Sequence, residues 1–283
     1  MSKVLTADQL ERYQRDGILF PVPALFPGEV ARFHEAFQDL AARLGGRPSA
    51  QDVSQTHLFF RWAYELATHP AVLDAVEGVL GPDILVWTVS IFAKYPRDPG
   101  YISWHQDGTY WGLDSPQVTT AWIALTDSTL GNGCMRVVPG SHRRPILPHR
   151  DTYAPNNLLS RGQEVQAQVD DKDAVDVILR AGEMSLHHVN IIHGSNPNPS
   201  EQSRVGFAIR FTTPKTRQIE GEPPTAVLAR GRDDYHHFEL LREPPALSFE
   251  AVVAVQQAAA RRLFTSLRAT TGRYAEGERP DAP

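Results

Sequence analysis

The chain has 283 residues, enough to bury a full core as one large β domain or two smaller ones. Its formal charge is −5 and its pI is about 6.1, so it lacks the basic footprint of a nucleic-acid-binding protein. Mean hydropathy is −0.33, and no apolar run approaches the roughly 20 residues that span a bilayer. Residues 1–17 lack the apolar core of a signal peptide, and the single cysteine excludes an internal disulfide. These features predict a cytoplasmic protein without a membrane or nucleic-acid partner.

The first part of the chain, about residues 1–80, is predicted to be mainly helical. Thr6 and Gln9 have the spacing of a capping box for a short helix that ends at Gly17, and the following ILFPV predicts a strand. Pro27 begins a second helix, whose apolar residues form one stripe and which a Gly–Gly pair ends. The segment PAVLDAVEGVLGP repeats this helical periodicity.

Short β-rich segments follow, from about residue 84 to 214. Runs such as ILVWTVSIFAKY, VTTAWIALT and RVGFAIRFTTP are separated by Gly, Pro and Asn, and a last amphipathic helix is predicted over about 248–268. Many short strands with flanking helices favour a mainly β fold, the double-stranded β-helix or cupin-like jelly roll. We expect a single domain over residues 1–283, because no repeat or linker divides the chain.

The segment WHQDGTYWG places an imidazole and a carboxylate two residues apart. On a strand, His105 and Asp107 would point to the same face. A catalytic metal needs at least one more protein ligand, and the chain has 11 histidines, so the choice of the third requires an independent reason.

His193 has such a reason. It ends the predicted strand EMSLHHVNIIHGS, which runs into the turn signal NPNPS, and the next strand begins at Arg204. A hairpin that closes symmetrically about this turn would pair His193 with Arg204 and place Ser195 on the same face. His187 shares that face, but along a continuous strand it would lie about 20 Å from His193, which excludes it as a ligand.

The strand that begins at Arg204 has two different faces. One face is apolar and suited to packing under the helices: Val205, Phe207, Ile209 and Phe211. The other carries small residues between two cations, which would leave room for a ligand and a charge to bind it: Arg204, Gly206, Ala208 and Arg210. Two imidazoles and one carboxylate form the facial triad of non-haem Fe(II) oxygenases, and a nearby arginine is suited to a bidentate grip on a dicarboxylate.

This combination resembles the phytanoyl-CoA dioxygenase family of Fe(II)- and 2-oxoglutarate-dependent oxygenases, in particular a bacterial branch. The matching features are His105-x-Asp107, His193, and Arg204 eleven residues after that histidine. The resemblance extends over about residues 10–218 and includes SWHQDGTYWGL, NGCMRVVPGSH, LLSRGQE and GEMSLHH. It implies that His105, Asp107 and His193 bind iron and act in catalysis, and that Arg204 forms a salt bridge with the distal carboxylate of 2-oxoglutarate.

Further roles are implied by the same resemblance. Ser195 matches a serine that helps to bind that carboxylate, and Trp122 matches, at one residue's offset, a tryptophan near the cosubstrate. The family reaction consumes 2-oxoglutarate and O2, releases succinate and CO2, and hydroxylates an unactivated C–H bond of a small molecule. Asp107 disfavours halogenation, for which relatives have a small residue at this position, while desaturation, epoxidation and cyclisation remain open.

Four residues are weaker candidates for substrate contact. Tyr110 and Trp111 lie beside the metal-binding motif but could equally be core aromatics, and Lys94 and Arg210 could bind an anionic group or be ordinary strand cations. Two other functions stay open. A metal-dependent cupin isomerase or hydrolase would not need Arg204, and a non-catalytic jelly-roll binding protein would need neither metal nor arginine. The substrate and the oligomeric state are not determined by the sequence.

Overall fold

The computed structural model describes residues 5–219 and 224–274. It contains five α-helices: α1 (Ala7–Asp16), α2 (Pro27–Arg43), α3 (Arg61–Ala67), α4 (Pro70–Leu80) and α5 (Phe249–Tyr274). Within the described residues, no helix is long and apolar enough to cross a membrane.

The strands form two main sheets, in which neighbouring strands are antiparallel apart from the last pair of the major sheet. In chain order they are β1 (Ile18–Pro23), β2 (Ile84–Lys94), β3 (Ile102–His105), β4 (Val118–Ala124), β5 (Met135–Val138), β6 (His149–Asp151), β7 (Gln163–Val165), β8 (Val175–Val177), β9 (Glu183–His188), β10 (Ile192–Ser195), β11 (Arg204–Thr212), β12 (Thr225–Arg230) and β13 (Glu239–Leu240). The major sheet has the order β1-β9-β4-β11-β2-β12-β13, and the minor sheet has the order β3-β10-β5-β8. The predicted fold class, a mainly β jelly roll with flanking helices, is confirmed.

Local sequence signals determine where the first helices begin and end. The Thr6 side chain accepts from the backbone N–H of Gln9, and the Gln9 side chain accepts from the backbone N–H of Thr6, as the capping box predicts. Gly17 ends α1 with φ of 74°, a left-handed conformation that favours glycine. Helix α3 was not predicted from the sequence, and the strand-rich region does not end at Pro214, because β12 adds a further strand to the major sheet.

The outer face of the major sheet forms the principal core with the helices. Strand β11 contributes its predicted apolar face there, and all four side chains are buried: Val205, Phe207, Ile209 and Phe211. Helix α2 contributes Phe33 and Phe37, and α4 contributes Val72 and Val76. Burial of these side chains, worth about 1.5–3 kcal/mol each, fixes which face of β11 is left for the interior between the sheets.

Gly206, on that interior face, is required by the packing of Trp122. A Cβ atom at position 206 would lie 1.8 Å from Cζ2 of the Trp122 indole. The small residue therefore does not leave open space for a ligand, as its place between two arginines suggested. It makes room for the tryptophan, whose ring lies 5.3 Å from the guanidinium carbon of Arg204.

The predicted hairpin between His193 and Arg204 is wrong. Strand β10 pairs with β3 and β5 in the minor sheet, whereas β11 pairs with β2 and β4 in the major sheet. His193 lies opposite His105, and Arg204 lies opposite Lys94. The NPNPS turn carries the chain from one sheet to the other, held by Asn198, whose Nδ2 donates to the Tyr95 carbonyl at 2.8 Å. Turn residues indicate a reversal but do not indicate which strand each partner will pair with.

We predict that Gly206→Ala destabilises the protein by about 1–3 kcal/mol, because the added methyl group overpacks against Trp122. Urea unfolding followed by far-UV circular dichroism measures the change. Gly28→Ala is the matched control: its Cβ would have no atom within 4 Å, so its free energy of unfolding should not decrease. Parent-like stability of Gly206→Ala would contradict the packing described for Trp122.

Candidate metal centre

Three buried side chains meet between the two sheets. His105, Asp107 and His193 each offer a ligand atom, and these atoms lie within 4.8 Å of one another. Nε2 of His105 is 3.3 Å from Oδ1 of Asp107, and Nε2 of His193 is 4.0 Å from Oδ2. The predicted set is thus brought together, although not on one strand face. His105 is the last residue of β3. Asp107 begins the 3-10 turn Asp107–Thr109, so its carboxylate approaches the imidazoles from a turn and not from a strand.

Backbone carbonyls fix the tautomer of both histidines. Nδ1 of His105 is 2.9 Å from the Ser103 carbonyl oxygen, and Nδ1 of His193 is 3.1 Å from that of Ile191. A carbonyl can only accept, so each Nδ1 carries the proton and each Nε2 keeps its lone pair. Both Nε2 atoms face Asp107 and are prepared to bind a cation, an arrangement typical of metal-ligating histidines.

The charge state of the three groups also suits a divalent metal. Burial by itself would raise the pKa of Asp107, but the neighbouring His105, His193 and Arg210 outweigh it and lower the pKa below its usual value. Burial, followed by the charge of His105, lowers the pKa of His193 to about 4. At neutral pH the site therefore offers a neutral imidazole at His193 and a carboxylate at Asp107. Two imidazoles and one carboxylate are the donor set of non-haem Fe(II) sites, so the residues fit this ion.

A buried glutamine between the two ligands anchors the motif. Gln106 is fully buried; its Nε2 donates to the Asn190 carbonyl at 2.8 Å, and its Oε1 accepts from the Leu147 N–H at 2.9 Å. Its own N–H donates to Nε2 of His149 at 2.9 Å. The sequence analysis missed Gln106 and His149, because nothing in a sequence indicates which of its polar residues will hold a loop in place.

Tyr110 supports the carboxylate directly. Its hydroxyl donates to Oδ1 of Asp107 at 2.9 Å, and the ring is 5% exposed. Burial and the Asp107 charge raise the pKa of Tyr110, so the phenol keeps its proton and remains a donor. The side chain lines the cavity, as predicted for a substrate contact, but its hydrogen bond makes it first of all a partner of Asp107.

The exclusion of His187 on distance was wrong. Its ring centroid lies 5.2 Å from that of His193. The predicted single strand is in fact β9 in the major sheet and β10 in the minor sheet, joined by a short turn, so the chain folds back over itself and brings His187 across from His193. His187 is nevertheless outside the group of three whose ligand atoms lie close enough to share an ion.

A second polar cluster lies at the start of β11 and consists of Arg204, Lys94 and Ser195. Nη1 of Arg204 donates to the Gly133 carbonyl at 2.8 Å, and Nζ of Lys94 donates to Oγ of Ser195 at 2.7 Å and to the carbonyls of Gly133 and Asn196. Burial lowers the pKa of Arg204 to about 10, and burial with the Arg204 charge lowers that of Lys94 to about 6. Arg204 and Ser195 line the cavity, whereas Lys94 lies behind Ser195 and is not among the wall residues.

One cavity joins the two clusters. Measured with its mouth open to solvent, it has an empty volume of about 1070 Å³, and its wall includes the ligand triad, Ser195, Trp122 and Arg204. Trp111 and Arg210, both predicted as substrate contacts, also line it. The chain thus places a metal-ligand triad and a buried cation in the same interior space.

This jelly roll with a buried site of two histidines and one aspartate defines the class of non-haem iron, 2-oxoglutarate-dependent oxygenases. The family model for phytanoyl-CoA dioxygenase (PhyH) matches residues 13–206, and the chain belongs to this family.

Individual relatives span most of the chain. Human peroxisomal phytanoyl-CoA dioxygenase is 24% identical over 246 residues, covering 77% of this chain and 72% of the relative. Ectoine dioxygenase of Nocardia farcinica is 25% identical over 240 residues, covering 76% and 80%. A solved structure described as a non-heme monooxygenase, ThoJ in its apo form, is 35% identical with a TM-score of 0.80 and covers 94% of this chain and 99% of that one.

We predict that His193→Ala weakens Fe(II) binding by more than about a hundredfold, whereas His187→Ala stays within the roughly 10–100-fold loss typical of an outer-shell change. Both substitutions remove a buried imidazole from the same cavity, so they are matched in size and environment. Anaerobic Fe(II) titration of the metal-free proteins measures both affinities. If His187→Ala loses the ion and His193→Ala retains it, the ligand assignment is reversed.

Proposed function

We propose that this protein hydroxylates a C–H bond of a small molecule, with 2-oxoglutarate and O2 as cosubstrates and succinate and CO2 as coproducts. The observation that carries the proposal is the presence, in one cavity, of the ligand triad and the buried Arg204–Ser195 pair. A metal-dependent cupin isomerase or hydrolase would need the triad to bind its metal but would not need a buried arginine at the far end of the cavity. A non-catalytic binding protein would need neither the triad nor the arginine.

His105, Asp107 and His193 are the residues that would hold Fe(II). The bound ion would supply three open coordination positions, enough for a bidentate cosubstrate and dioxygen. The chain contributes fixed donor geometry: the Nδ1–H groups are bonded to backbone carbonyls, and Tyr110 holds Oδ1 of Asp107. Such hydrogen bonds orient metal-ligating side chains and restrict their rotation.

Arg204 and Ser195 would hold the distal carboxylate of 2-oxoglutarate, and Lys94, behind Ser195, would position the serine hydroxyl. Arg204 uses Nη1 on the Gly133 carbonyl, and its Nε has no hydrogen-bond partner among the described residues. Lys94 donates to Oγ of Ser195, which leaves the Ser195 proton free to point at an acceptor. The Trp122 ring lies 5.3 Å from the guanidinium carbon of Arg204, and both residues line the cavity.

The prime substrate is proposed to be a small molecule. Ectoine dioxygenase, a relative whose name states a small substrate, supports this size class. The cavity is lined by residues of the two sheets, of α5 and of the loops around Ala50 and Leu158, with apolar side chains and a few polar groups, as is typical of small-molecule sites.

Substitution of Arg204 tests the cosubstrate assignment. Lysine keeps the charge but loses the planar fork, and alanine loses both, so the affinity for 2-oxoglutarate should decrease in the order Arg, Lys, Ala. Two charge-assisted hydrogen bonds at about 1.5–3 kcal/mol each predict a loss of roughly a hundredfold or more for alanine. The measurement is a 2-oxoglutarate titration of the visible charge-transfer band of the anaerobic ferrous protein.

The exposed Arg232 provides the matched control for this series, because its side chain is 80% exposed and is not part of the cavity wall. Arg232→Ala should titrate like the parent, and all variants should bind Fe(II) with parent affinity. An Arg204→Ala protein that binds 2-oxoglutarate as tightly as the parent does would refute the assignment.

Lys94 makes this affinity dependent on pH. In the free protein burial and Arg204 hold the Lys94 pKa at about 6, against the opposing charge of Asp98. A carboxylate beside Ser195 favours the protonated amine and raises that pKa, so binding takes up a proton above pH 6. The affinity should be greatest below pH 6 and should fall by up to about tenfold per pH unit as the pH rises above it.

The same ferrous titration, repeated from pH 6 to pH 8, measures this effect. Lys94→Met should bind 2-oxoglutarate more weakly than the parent at pH 6 and should show a flatter pH dependence. A parent affinity that does not change across this range would show that Lys94 does not sense the carboxylate.

A further inference from the structure

Four side chains form a row across neighbouring strands of the major sheet. His187 of β9 lies opposite Thr120 of β4, Thr120 lies opposite Arg210 of β11, and Arg210 lies opposite Thr88 of β2. All four line the cavity. We call these residues the polar row.

Each member of the polar row has a buried polar atom without a hydrogen-bond partner among the described residues. The atoms are Nδ1 of His187, Oγ1 of Thr120, Nε of Arg210 and Oγ1 of Thr88. An unpartnered buried polar atom destabilises a fold, so such atoms are few in native proteins. Four of them on adjacent strands, all facing one cavity, point to a polar ligand that satisfies them.

Arg210 gives the row its charge. The residue is 9% exposed, and the described part of the chain contains no salt-bridge partner for it. Its hydrogen bond to the Ala208 carbonyl is long, at 3.5 Å, and its guanidinium carbon lies 5.6 Å from the rings of Phe92 and Trp111. The neighbouring acidic group, Asp107, belongs to the ligand triad. A guanidinium stays charged in proteins, so the row presents a buried cation to the cavity.

The polar row and the Arg204 cluster are at different ends of the cavity. Arg210 and Arg204 are six residues apart on one strand, which is about 20 Å at a rise of roughly 3.3 Å per residue. The row lies at the triad end, where the His187 ring is 5.2 Å from that of His193. A ligand whose distal carboxylate is held at Arg204 therefore leaves Arg210 available for a second molecule.

We propose that the polar row binds a carboxylate group of the prime substrate, with Arg210 as the anchor and the hydroxyls of Thr88 and Thr120 as further donors. This inference rests on the proposed function and names its substrate class, an organic acid with an apolar body. Donor groups around a cation match an oxyanion, because a carboxylate accepts several hydrogen bonds at once. The body would contact the apolar wall beside the row: Trp87, Phe92, Trp111, Leu158 and Leu263.

The experiment measures whether the protein prefers an acid to its neutral amide. The probes are acetate, phenylacetate and hexanoate, each paired with its primary amide, and binding to the Zn(II)-loaded protein with saturating 2-oxoglutarate is followed by ligand-observed NMR. We expect at least one acid to bind about tenfold or more tightly than its amide, the effect of one charge-assisted hydrogen bond. Arg210→Met should reduce that ratio to near one, Arg210→Lys should retain part of it, and Thr88→Val should lower it by a few fold.

The 2-oxoglutarate titration of the same variants separates the two possible sources of the carboxylate. Arg210→Met should titrate like the parent, Arg204→Met should lose 2-oxoglutarate but keep the preference for acids when tested without it, and Arg232→Met should change neither. If Arg210→Met weakens 2-oxoglutarate as much as it weakens the probes, the row binds the keto acid end of the cosubstrate and the proposal is wrong. It is also wrong if no acid in the panel binds more tightly than its amide.

The thermal stability of Arg210→Met and the charge-transfer band of the parent protein are measured as well. Arg210→Met removes a buried cation that has no salt bridge to any residue the structure describes, so its Tm should not be lower than that of the parent. If this variant unfolds, Arg210→Lys and Thr88→Val still report on the row. A parent protein without a 2-oxoglutarate charge-transfer band would refute the proposed function, while the acid-to-amide ratio on Zn(II)-protein alone would continue to test the polar row.

Discussion

The hydrogen bonds from two histidine rings to the backbone are the contacts on which the metal centre depends. Nδ1 of His105 and of His193 donates to the carbonyl oxygen two residues earlier in the chain, and this fixes both the tautomer and the direction of each Nε2. Because His193 lies opposite His105 in the minor sheet, one strand ladder sets the separation of the two rings. Asp107 completes the set because a 3-10 turn, anchored by Gln106, directly follows the strand.

The two sheets that enclose the cavity contribute different kinds of side chain to its wall. The minor sheet provides the ligand histidines, while the inner face of the major sheet provides cations at two levels, Arg204 and Arg210. Burial of two guanidinium groups without salt bridges within the described chain opposes folding. The apolar outer face of the same β11 strand compensates, since its side chains form the core with the helices. Natural proteins accept such local cost where a ligand restores the missing partners.

Several features of the site were predictable from sequence, each through a local signal. His105-x-Asp107 was visible as a motif, and strict alternation in RVGFAIRFT predicted which face of β11 is core and which is cavity. Arg204 was predicted to lie near His193, and both residues do line one cavity, but the hairpin from which this was predicted does not exist. Arg204 and His193 are not neighbours in a hairpin; they come from two sheets that face each other. Periodicity fixes the face of a strand, whereas the choice of pairing partner depends on the whole chain.

By itself, the sequence determined the class of fold, the helix boundaries with explicit caps, and the His105-x-Asp107 motif, because those depend on neighbours close in the chain. Only the tertiary structure decided that His187 lies 5.2 Å from His193, that Gly206 makes room for Trp122, and that His187, Thr120, Arg210 and Thr88 share one row. These relations join residues far apart in sequence through strand register and a crossover between sheets. Register and crossover minimise the free energy of the folded chain as a whole, and no short segment contains that information.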